Sequence, residues 1–446
     1  MSLKMNKKIK QVVVIMVALS LLAACGGNKN EAAEDISATT TAIAATAFSV
    51  AYTQAAIQAE GAAPTQQPGE APAGDPAVQP AQPVEGGEPD DAAAQPIQTI
   101  QPAEAVQPQQ LPGTSQSGAT YFWQNQVLDS PSAGPHVAIT TDSGNIPHIV
   151  YLDDANDNLK YATVKDGSWR LQSMDSPNAD GLYGSVVVDG ADDPHTVRYI
   201  LSAKYITYMY YTGSTWNPAA FIADVDVGGT SLALDSSQIA HVAYFDKFTS
   251  ELRYAVVSGN SFLTQVIGNA TPEGGAFPMV LDAADAPHIA YFDSNQGLVY
   301  VSNEGGNWVA QVVDSSTYGT LDPDMVIARN GLTHISYADP VTQTLKHAVF
   351  DGAAWRVEAI DSGSFGATHI AAGPQGGLHI SYYDIVSGSL KHAYLAEGGQ
   401  WSINIVAQGG DDGRYNDIAV DNVGTPHIAF YDSGGRQLKY GVGVRQ

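Results

Sequence analysis

One pattern recurs seven times in this chain of 446 residues. Each copy has a histidine with a tyrosine three or four residues after it, and an aromatic residue about 25 residues before it. The histidines lie 45–48 residues apart, at His148, His195, His241, His288, His334, His379 and His427. The aromatic residues are Trp123, Trp169, Trp216, Phe262, Trp308, Trp355 and Trp401. A repeat of 40–50 residues is typical of a β-propeller with one four-stranded blade per repeat.

The two ends of the repeat region are complementary. The chain enters at residues 121–127, which have the sequence of a fourth strand, and leaves at residues 438–444, which have that of a third strand. Pairing these segments would close the ring and remove an open sheet edge. The sequence therefore predicts an all-β fold. The predicted fold is a seven-bladed β-propeller over residues 120–446, closed by its N- and C-terminal strands.

The N-terminus has the features of an export signal. Lys4, Lys7, Lys8 and Lys10 precede an apolar run that is too short to span a membrane, as in a signal peptide. The run ends in Leu22-Ala23-Ala24-Cys25, which resembles the lipobox of bacterial lipoproteins. That resemblance implies removal of residues 1–24 and diacylation of Cys25. The protein would then be extracytoplasmic and lipid-anchored, either to the cell membrane or to the outer membrane.

Cys25 is the only cysteine in the chain, which favours lipid attachment over a disulfide. Residues 25–119 follow as a segment rich in Ala, Pro, Gln and Glu with few large apolar side chains. Such a composition buries too little surface to offset its ordering entropy, so we predict a disordered tether.

The charge of the chain narrows the set of partners. The four lysines before Cys25 leave 16 basic residues against 46 acidic ones, a mature net charge of −30. Such a negative field opposes nucleic acid binding. We expect a monomer that reaches the membrane through the lipid on Cys25 and binds a glycan or a protein.

The seven histidines are interpreted as structural. Equivalent positions of seven blades lie around a ring, too far apart to share one metal ion. An Asp follows five residues after the histidine in six of the seven repeats. We expect both residues to hydrogen-bond loop backbone or neighbouring blades, as buried polar groups must.

Function is expected in the loops that do not repeat, on one face of the ring. Their acids and aromatic residues suit sugar hydroxyls or a Ca²⁺ ion, the one cofactor considered. The alternative is that these are surface acids without any site. The candidate ligand-binding residues are Asp175, Asp180, Tyr183, Tyr318, Asp322, Asp324, Asp411, Asp412, Arg414 and Tyr415. Among these loops, we expect ligand binding above all at residues 175–183, 318–324 and 411–417.

Four hairpins carry Gly-x-x-Trp, as at Gly213–Trp216, and resemble the tail of the Asp-box of sialidase-like propellers. The Ser-x-Asp half of that motif is absent, as are the usual nucleophile, phosphate and zinc motifs. No catalytic residue is therefore predicted. The first hypothesis is a non-catalytic module that binds a glycan, an envelope component or a protein. The alternatives are a glycan-active hydrolase or lyase with its site in the central funnel, and a scaffold for envelope assembly.

Overall fold

The computed structural model describes residues 98–100, 121–174, 181–269, 276–317, 323–409 and 411–446. Apart from a 3-10 turn at Glu304–Gly306, the regular elements in these ranges are β-strands. The predicted signal peptide, Cys25 and most of the predicted tether lie outside these ranges. No helix within them is long and apolar enough to cross a membrane.

In chain order the strands are β1 (Gln98–Ile100), β2 (Tyr121–Asp129), β3 (Ala133–Thr141), β4 (Pro147–Asp153), β5 (Asn158–Lys165), β6 (Ser168–Ser173), β7 (Gly181–Val188), β8 (Pro194–Ile200), β9 (Tyr205–Tyr211), β10 (Trp216–Ala223), β11 (Val227–Leu234), β12 (Ala240–Asp246), β13 (Glu251–Ser258), β14 (Ser261–Asn269), β15 (Met279–Leu281), β16 (Pro287–Asp293), β17 (Gly297–Ser302), β18 (Val309–Asp314), β19 (Asp324–Ile327), β20 (Thr333–Asp339), β21 (Thr344–Phe350), β22 (Trp355–Ser362), β23 (Phe365–Ala372), β24 (Leu378–Asp384), β25 (Ser389–Leu395), β26 (Trp401–Ala407), β27 (Asp412–Val420), β28 (Pro426–Asp432) and β29 (Gln437–Arg445).

These strands form six sheets. Four sheets have four antiparallel strands: β3–β6, β19–β22, β23–β26, and β27–β29 with β2. A fifth holds β15–β18, with β1 added in parallel to β18. The sixth holds two antiparallel sections, β7–β10 and β11–β14, joined through the parallel pair Phe221–Ser261. The fold is all-β and propeller-like. The count of seven blades requires these two sections to be separate blades, and it stays a prediction.

The second strand of each four-stranded unit explains the most regular part of the repeat. In β4, β8, β12, β16, β20 and β28 all seven residues are buried. A strand that packs on both faces carries apolar or aromatic residues on both faces, so the alternation of a half-exposed strand is lost. The histidine and the tyrosine of the repeat both lie in this strand.

The first strands of the units follow one another in a closed circle. β3 contacts β7, and the contacts continue through β11, β15, β19 and β23 to β27, which contacts β3. A hydrophobic cluster that includes Tyr151 and Tyr440 joins the first and last repeats. β2 pairs with β29 from Tyr121↔Arg445 to Asp129↔Leu438. The first strand after the predicted tether therefore completes the last sheet.

A buried charge cluster recurs between neighbouring units. Lys346 in β21 lies 2.6 Å from Asp339 at the end of β20 and 2.9 Å from Asp314 at the end of β18. The Tyr337 hydroxyl donates a hydrogen bond to the same Asp314 carboxylate at 2.8 Å. Burial lowers the pKa of Lys346, but the two carboxylates outweigh it and raise the pKa overall. The same arrangement occurs at Lys160 and Lys391. Lys439 also pairs with two carboxylates, but both of them, Asp412 and Asp432, belong to its own sheet.

Substitution of Lys346 by Met should lower the free energy of unfolding by about 3–5 kcal/mol, because two buried carboxylates would lose their partner. Urea denaturation measures this change. The control is Arg356→Ala, since Arg356 lies 3.7 Å from Asp351 and is largely exposed. Such an exposed pair contributes little to stability, because solvent screens it. Equal effects of the two substitutions would contradict the role given to the cluster.

Candidate functional site at the inner edge of the first strands

The repeated histidines lie in a line of buried hydrogen bonds. In the first repeat the Nδ1 atom of His148 is 2.5 Å from the Tyr161 hydroxyl, and Nε2 is 3.3 Å from Asp142. The Asp sits at the turn between the first two strands, and the Tyr in the third strand. The same three residue types meet at His195, His241, His288 and His427. These contacts connect three parts of one sheet.

Two repeats depart from this line. Ala328 and Gly373 replace the turn Asp before His334 and His379. His347 and His392 replace the Tyr, with Nδ1 to Nε2 distances of 2.9 Å and 3.0 Å. Burial, with the neighbouring positive or titratable groups, lowers the pKa of His334 and of His379 to about 3. Both histidines are therefore neutral at pH 7.

A second position varies from repeat to repeat, ten residues before each repeated histidine and in or beside the first strand of its unit. It is occupied in turn by Ala138, Ser185, Ser231, Pro278, Asp324, His369 and Asp417. The inner edge of a first strand has no strand beside it, so its N–H groups need other acceptors. The Ser231 hydroxyl accepts a hydrogen bond from the Met279 backbone N–H at 3.1 Å. Asp324 accepts one from Ile370, and Asp417 one from Ile139, each at 2.8 Å.

Asp324, His369 and Asp417 come from three consecutive sheets and meet, and we call them the inner-edge cluster. The Nδ1 atom of His369 is 3.7 Å from Asp324 Oδ2 and 3.4 Å from Asp417 Oδ1. Each side chain keeps between 20% and 27% of its surface exposed. The cluster is thus inside the circle of first strands and still open to solvent or to a ligand.

Both carboxyl groups of the cluster are poised near neutral pH. Burial is the main reason why the pKa of Asp324 is raised to about 6. Attraction to His369 lowers this pKa, whereas repulsion from the Asp417 carboxylate raises it. Burial raises the pKa of Asp417 to about 7, against the hydrogen bonds from Ile139 and Ile418. One carboxyl group can therefore donate a hydrogen bond while the other accepts one. Raised pKa values beside an imidazole are typical of functional sites.

Two of the predicted residues flank the cluster. Arg414 and Tyr415 precede Asp417 in β27, and both are exposed. The Tyr415 ring lies 5.9 Å from the His136 ring and 6.3 Å from the Tyr431 ring. Ile139, which is bound by Asp417, lies three residues after His136 in β3. The exposed Tyr415 ring therefore lies on the same two strands, β27 and β3, that the Asp417 carboxylate joins.

Other predicted residues have different surroundings. Asp411 accepts hydrogen bonds from the hydroxyls of Tyr383 and Ser433. Asp412 is buried, 2.7 Å from Lys439. These acids connect strands rather than face a ligand. Tyr183 lies in β7, while Asp175, Asp180, Tyr318 and Asp322 lie outside the described residues.

Sequence reasoning missed His369 and His136 because it searched the loops and treated the first strands as frame. For His369 the signal was present in the varying position ten residues before each repeated histidine. Among the described residues, no group of three or more His, Cys, Asp or Glu side chains is placed to hold a metal ion.

The cluster should make stability depend on pH. The folded-state pKa of Asp417 lies above the unfolded value of about 3.9, so the folded protein holds a proton that the unfolded chain releases. Stability from this proton is complete below about pH 4 and is lost as pH rises through about 7. Asp417→Asn removes the titration and keeps an oxygen for the Ile139 N–H.

Between pH 5 and pH 8 the native protein should lose about 1–3 kcal/mol more free energy of unfolding than Asp417→Asn. Urea denaturation at the two pH values measures the difference. An identical pH dependence of both proteins would show that Asp417 titrates normally.

Comparison with known proteins gives a fold and no family. No protein-family model matches the sequence, and no curated protein matches it significantly. A solved structure of the polysaccharide lyase PL25 ulvan lyase is similar with a TM-score of 0.51 and 11% sequence identity. The match covers 73% of this chain and 96% of that chain.

A six-bladed propeller lectin from Aleuria aurantia aligns with a TM-score of 0.46 and 12% identity, over 62% of this chain and 96% of the lectin. A protein of unknown function from Dyadobacter fermentans aligns with a TM-score of 0.46 and 11% identity, over 74% and 100%. The similarity to the lyase, together with the sheets and the circle of first strands, identifies the chain as a propeller-like all-β protein.

Proposed function

We propose that the chain is an exported, lipid-anchored propeller of seven blades that binds a glycan. The blade count follows if β7–β10 and β11–β14 are separate blades. These sections share one residue pair, and their first strands take consecutive places in the circle. A hydrophobic cluster that includes Tyr199 and Tyr244 packs between their faces, as between other neighbouring units.

The inner-edge cluster is the observation that carries the glycan proposal. The cluster consists of three polar side chains at a position that varies from repeat to repeat, whereas the strands around it have a repeated sequence. Carboxyl groups with pKa values of about 6 and 7 can donate and accept hydrogen bonds at neutral pH, as sugar hydroxyls do. Tyr415 adds an exposed ring on which a sugar can pack. The similar PL25 lyase was solved bound to -[GlcA(1-4)Rha3S]-, which supports a saccharide as ligand.

A glycan array tests this function. The mature chain with Cys25→Ser, which removes the lipid, should bind a group of related glycans. The double variant His369→Ala/Asp417→Asn should lose that binding. Absence of binding to every glycan, with a folded protein, would contradict the proposal.

The lipid anchor is a separate part of the proposal and rests on the sequence around Cys25. Mass spectrometry of the native N-terminus should find a diacylated Cys25 as the first residue. An unmodified Cys25, or an intact residue 1–24 segment, would remove the anchor and leave the glycan site unaffected.

A glycan-active enzyme is a second candidate, and the paired carboxyl groups favour it. General acid–base catalysis requires groups whose pKa values lie near the working pH, one protonated and one ionised. Burial raises the pKa of Asp324 to about 6 and that of Asp417 to about 7, and His369 lies between the two carboxyl groups. Polysaccharides that bind on the array should be incubated with the protein and assayed for new reducing ends and unsaturated products. Turnover that Asp417→Asn abolishes would establish catalysis; binding without turnover leaves a lectin.

A further inference from the structure

A cavity of about 430 Å³ lies between the sheet β23–β26 and the sheet of β27–β29 with β2. Its walls include Tyr121, Gly373, His379, Tyr394 and Arg445. We call it the seam pocket. Gly373 follows the C-terminal end of β23, whereas Tyr415 lies near the N-terminal end of β27. The seam pocket and Tyr415 are therefore at opposite ends of the first strands.

The seam pocket occupies the place of a missing carboxylate. In five repeats the turn Asp lies 3.2–3.5 Å from Nε2 of the repeated histidine. Here Gly373 stands in that position, and a Cβ atom on it would lie 3.8 Å from His379 Nε2. His379 is 2% exposed and uses Nδ1 to contact His392. Within the described residues, Nε2 of His379 has no hydrogen-bond partner and borders the cavity.

A positive charge accompanies the missing carboxylate. Arg445 lies over the Tyr394 ring at 5.6 Å and is close enough to His379 to lower its pKa. No Asp or Glu side chain of the described residues lines the pocket, although the chain has 46 acidic residues. In the described parts of the chain Arg445 forms no ion pair with an acidic side chain. An anion is therefore the ligand that the charges of the pocket favour.

The size and the aromatic walls of the seam pocket favour a ligand whose anionic group is attached to a ring. A volume of about 430 Å³ exceeds the needs of a small ion and lies in the range of small-molecule sites. The Tyr121 and Tyr394 rings meet edge to face at 5.2 Å, and His379 lies 4.7 Å from Tyr394. Such walls suit the apolar faces of a sugar ring, while the Tyr hydroxyls suit its hydroxyl groups.

We propose that the seam pocket binds an acidic sugar, whose carboxylate takes the place that an Asp side chain takes in five other repeats. Arg445 pairs with the carboxylate, His379 Nε2 hydrogen-bonds it, and Tyr121 and Tyr394 contact the ring. This site is distinct from the inner-edge cluster and does not depend on it.

A comparable cavity supplies a contrast within the chain. It lies beside Tyr254 and the turn before β16, with a volume of about 480 Å³. Asp282, Asp285 and Glu304 line it, and Asp282 pairs with His288 at 3.5 Å. Because three carboxylates line it, this second cavity should repel the acidic sugar that the seam pocket accepts.

Isothermal titration calorimetry of the full chain with sodium glucuronate tests the site. Glucuronate should bind at least about tenfold more tightly than glucose, since a charge-assisted contact contributes that much. Arg445→Ala should weaken the binding of glucuronate by about 10–100-fold. Arg356→Ala, an exposed Arg on an outer strand, should leave the affinity unchanged. Equal affinities for glucuronate and glucose, or no effect of Arg445→Ala, would overturn the proposal.

Gly373→Asp supplies the missing carboxylate from the chain itself. A Cβ atom at Gly373 makes only ordinary contacts, at 3.5 Å or more, so the variant should fold. It should lose glucuronate binding and keep or raise its melting temperature. Retained binding in a folded Gly373→Asp protein would overturn the proposal.

Two further titrations identify the ligand class and separate the two sites. Acetate should bind more weakly than glucuronate; equal affinities would show a carboxylate site without a sugar preference and overturn the sugar assignment. Asp417→Asn should leave glucuronate affinity unchanged. A loss with Asp417→Asn, without a loss with Arg445→Ala, would place the sugar at the inner-edge cluster and overturn the seam pocket alone.

Discussion

A chain that begins at residue 130 should fail to fold cooperatively, whereas a chain that begins at residue 120, which of the described strands loses only the three-residue edge strand β1, should still unfold cooperatively. The shorter chain lacks β2, so β29 becomes an open edge with unpaired N–H and C=O groups. It also lacks the buried Tyr121 and Trp123 side chains, which pack on His392 at 5.2 Å and 5.0 Å. Circular dichroism during heating distinguishes the two chains.

A matched pair of substitutions gives the same test without truncation. Trp123 is 8% exposed and its neighbour Phe122 is 57% exposed. Trp123→Ala should cost about 3–5 kcal/mol of unfolding free energy, a large part of the roughly 5–15 kcal/mol of a typical domain. Phe122→Ala should cost less than about 1 kcal/mol. Equal costs, or a cooperative chain from residue 130, would contradict closure by β2.

Substitution in the inner-edge cluster should have the largest effect on function. His369→Ala removes the imidazole that lies between the two carboxyl groups, 3.4 Å from Asp417 and 3.7 Å from Asp324. Affinity for the best glycan of the array should fall by about 10–100-fold, as expected when charged hydrogen-bonding groups are lost. Calorimetric titration of the native and variant proteins measures the change.

The control for this prediction is Ser231→Ala. Ser231 occupies the equivalent position in β11, and its hydroxyl accepts the Met279 backbone N–H of the next unit, as Asp324 and Asp417 accept those of Ile370 and Ile139. If the position serves only to satisfy first-strand N–H groups, the two substitutions should act alike and neither should change glycan affinity. A loss confined to His369→Ala indicates ligand binding.

The sequence predicted the strands well because the frame repeats. Seven copies of one buried second strand fix the spacing of the elements, and the end segments predicted the pairing of β2 with β29. It did not predict that the repeated histidines contact Tyr161 and its equivalents in the third strand. That contact depends on strand register, which a repeat does not encode.

The candidate site was predicted only in part. Asp324, Arg414 and Tyr415 were chosen for their loops, and they lie in or beside the inner-edge cluster. Asp411 and Asp412 were chosen on the same grounds, but contacts with Tyr383 and Lys439 occupy them. Composition cannot distinguish an acid that faces a ligand from one that joins two strands. That distinction depends on partners far away in the sequence.

His369 and the seam pocket have the same kind of origin in the repeated sequence. Both are places where one copy departs from the others: a histidine where Ser231 has a hydroxyl, and Gly373 where an Asp is usual. The departures are visible in an alignment of the seven copies. Their meaning depends on which copies are neighbours in the circle, because Asp324 and Asp417 reach His369 from either side.

A crystal structure of the full chain with the best glycan of the array tests the central claim most directly. The distances from sugar hydroxyls to Asp324, His369 and Asp417 are the quantities to measure. We predict at least two hydrogen bonds, within about 3.2 Å, between the glycan and these side chains. A glycan bound only elsewhere, with the inner-edge cluster occupied by solvent, would contradict the account.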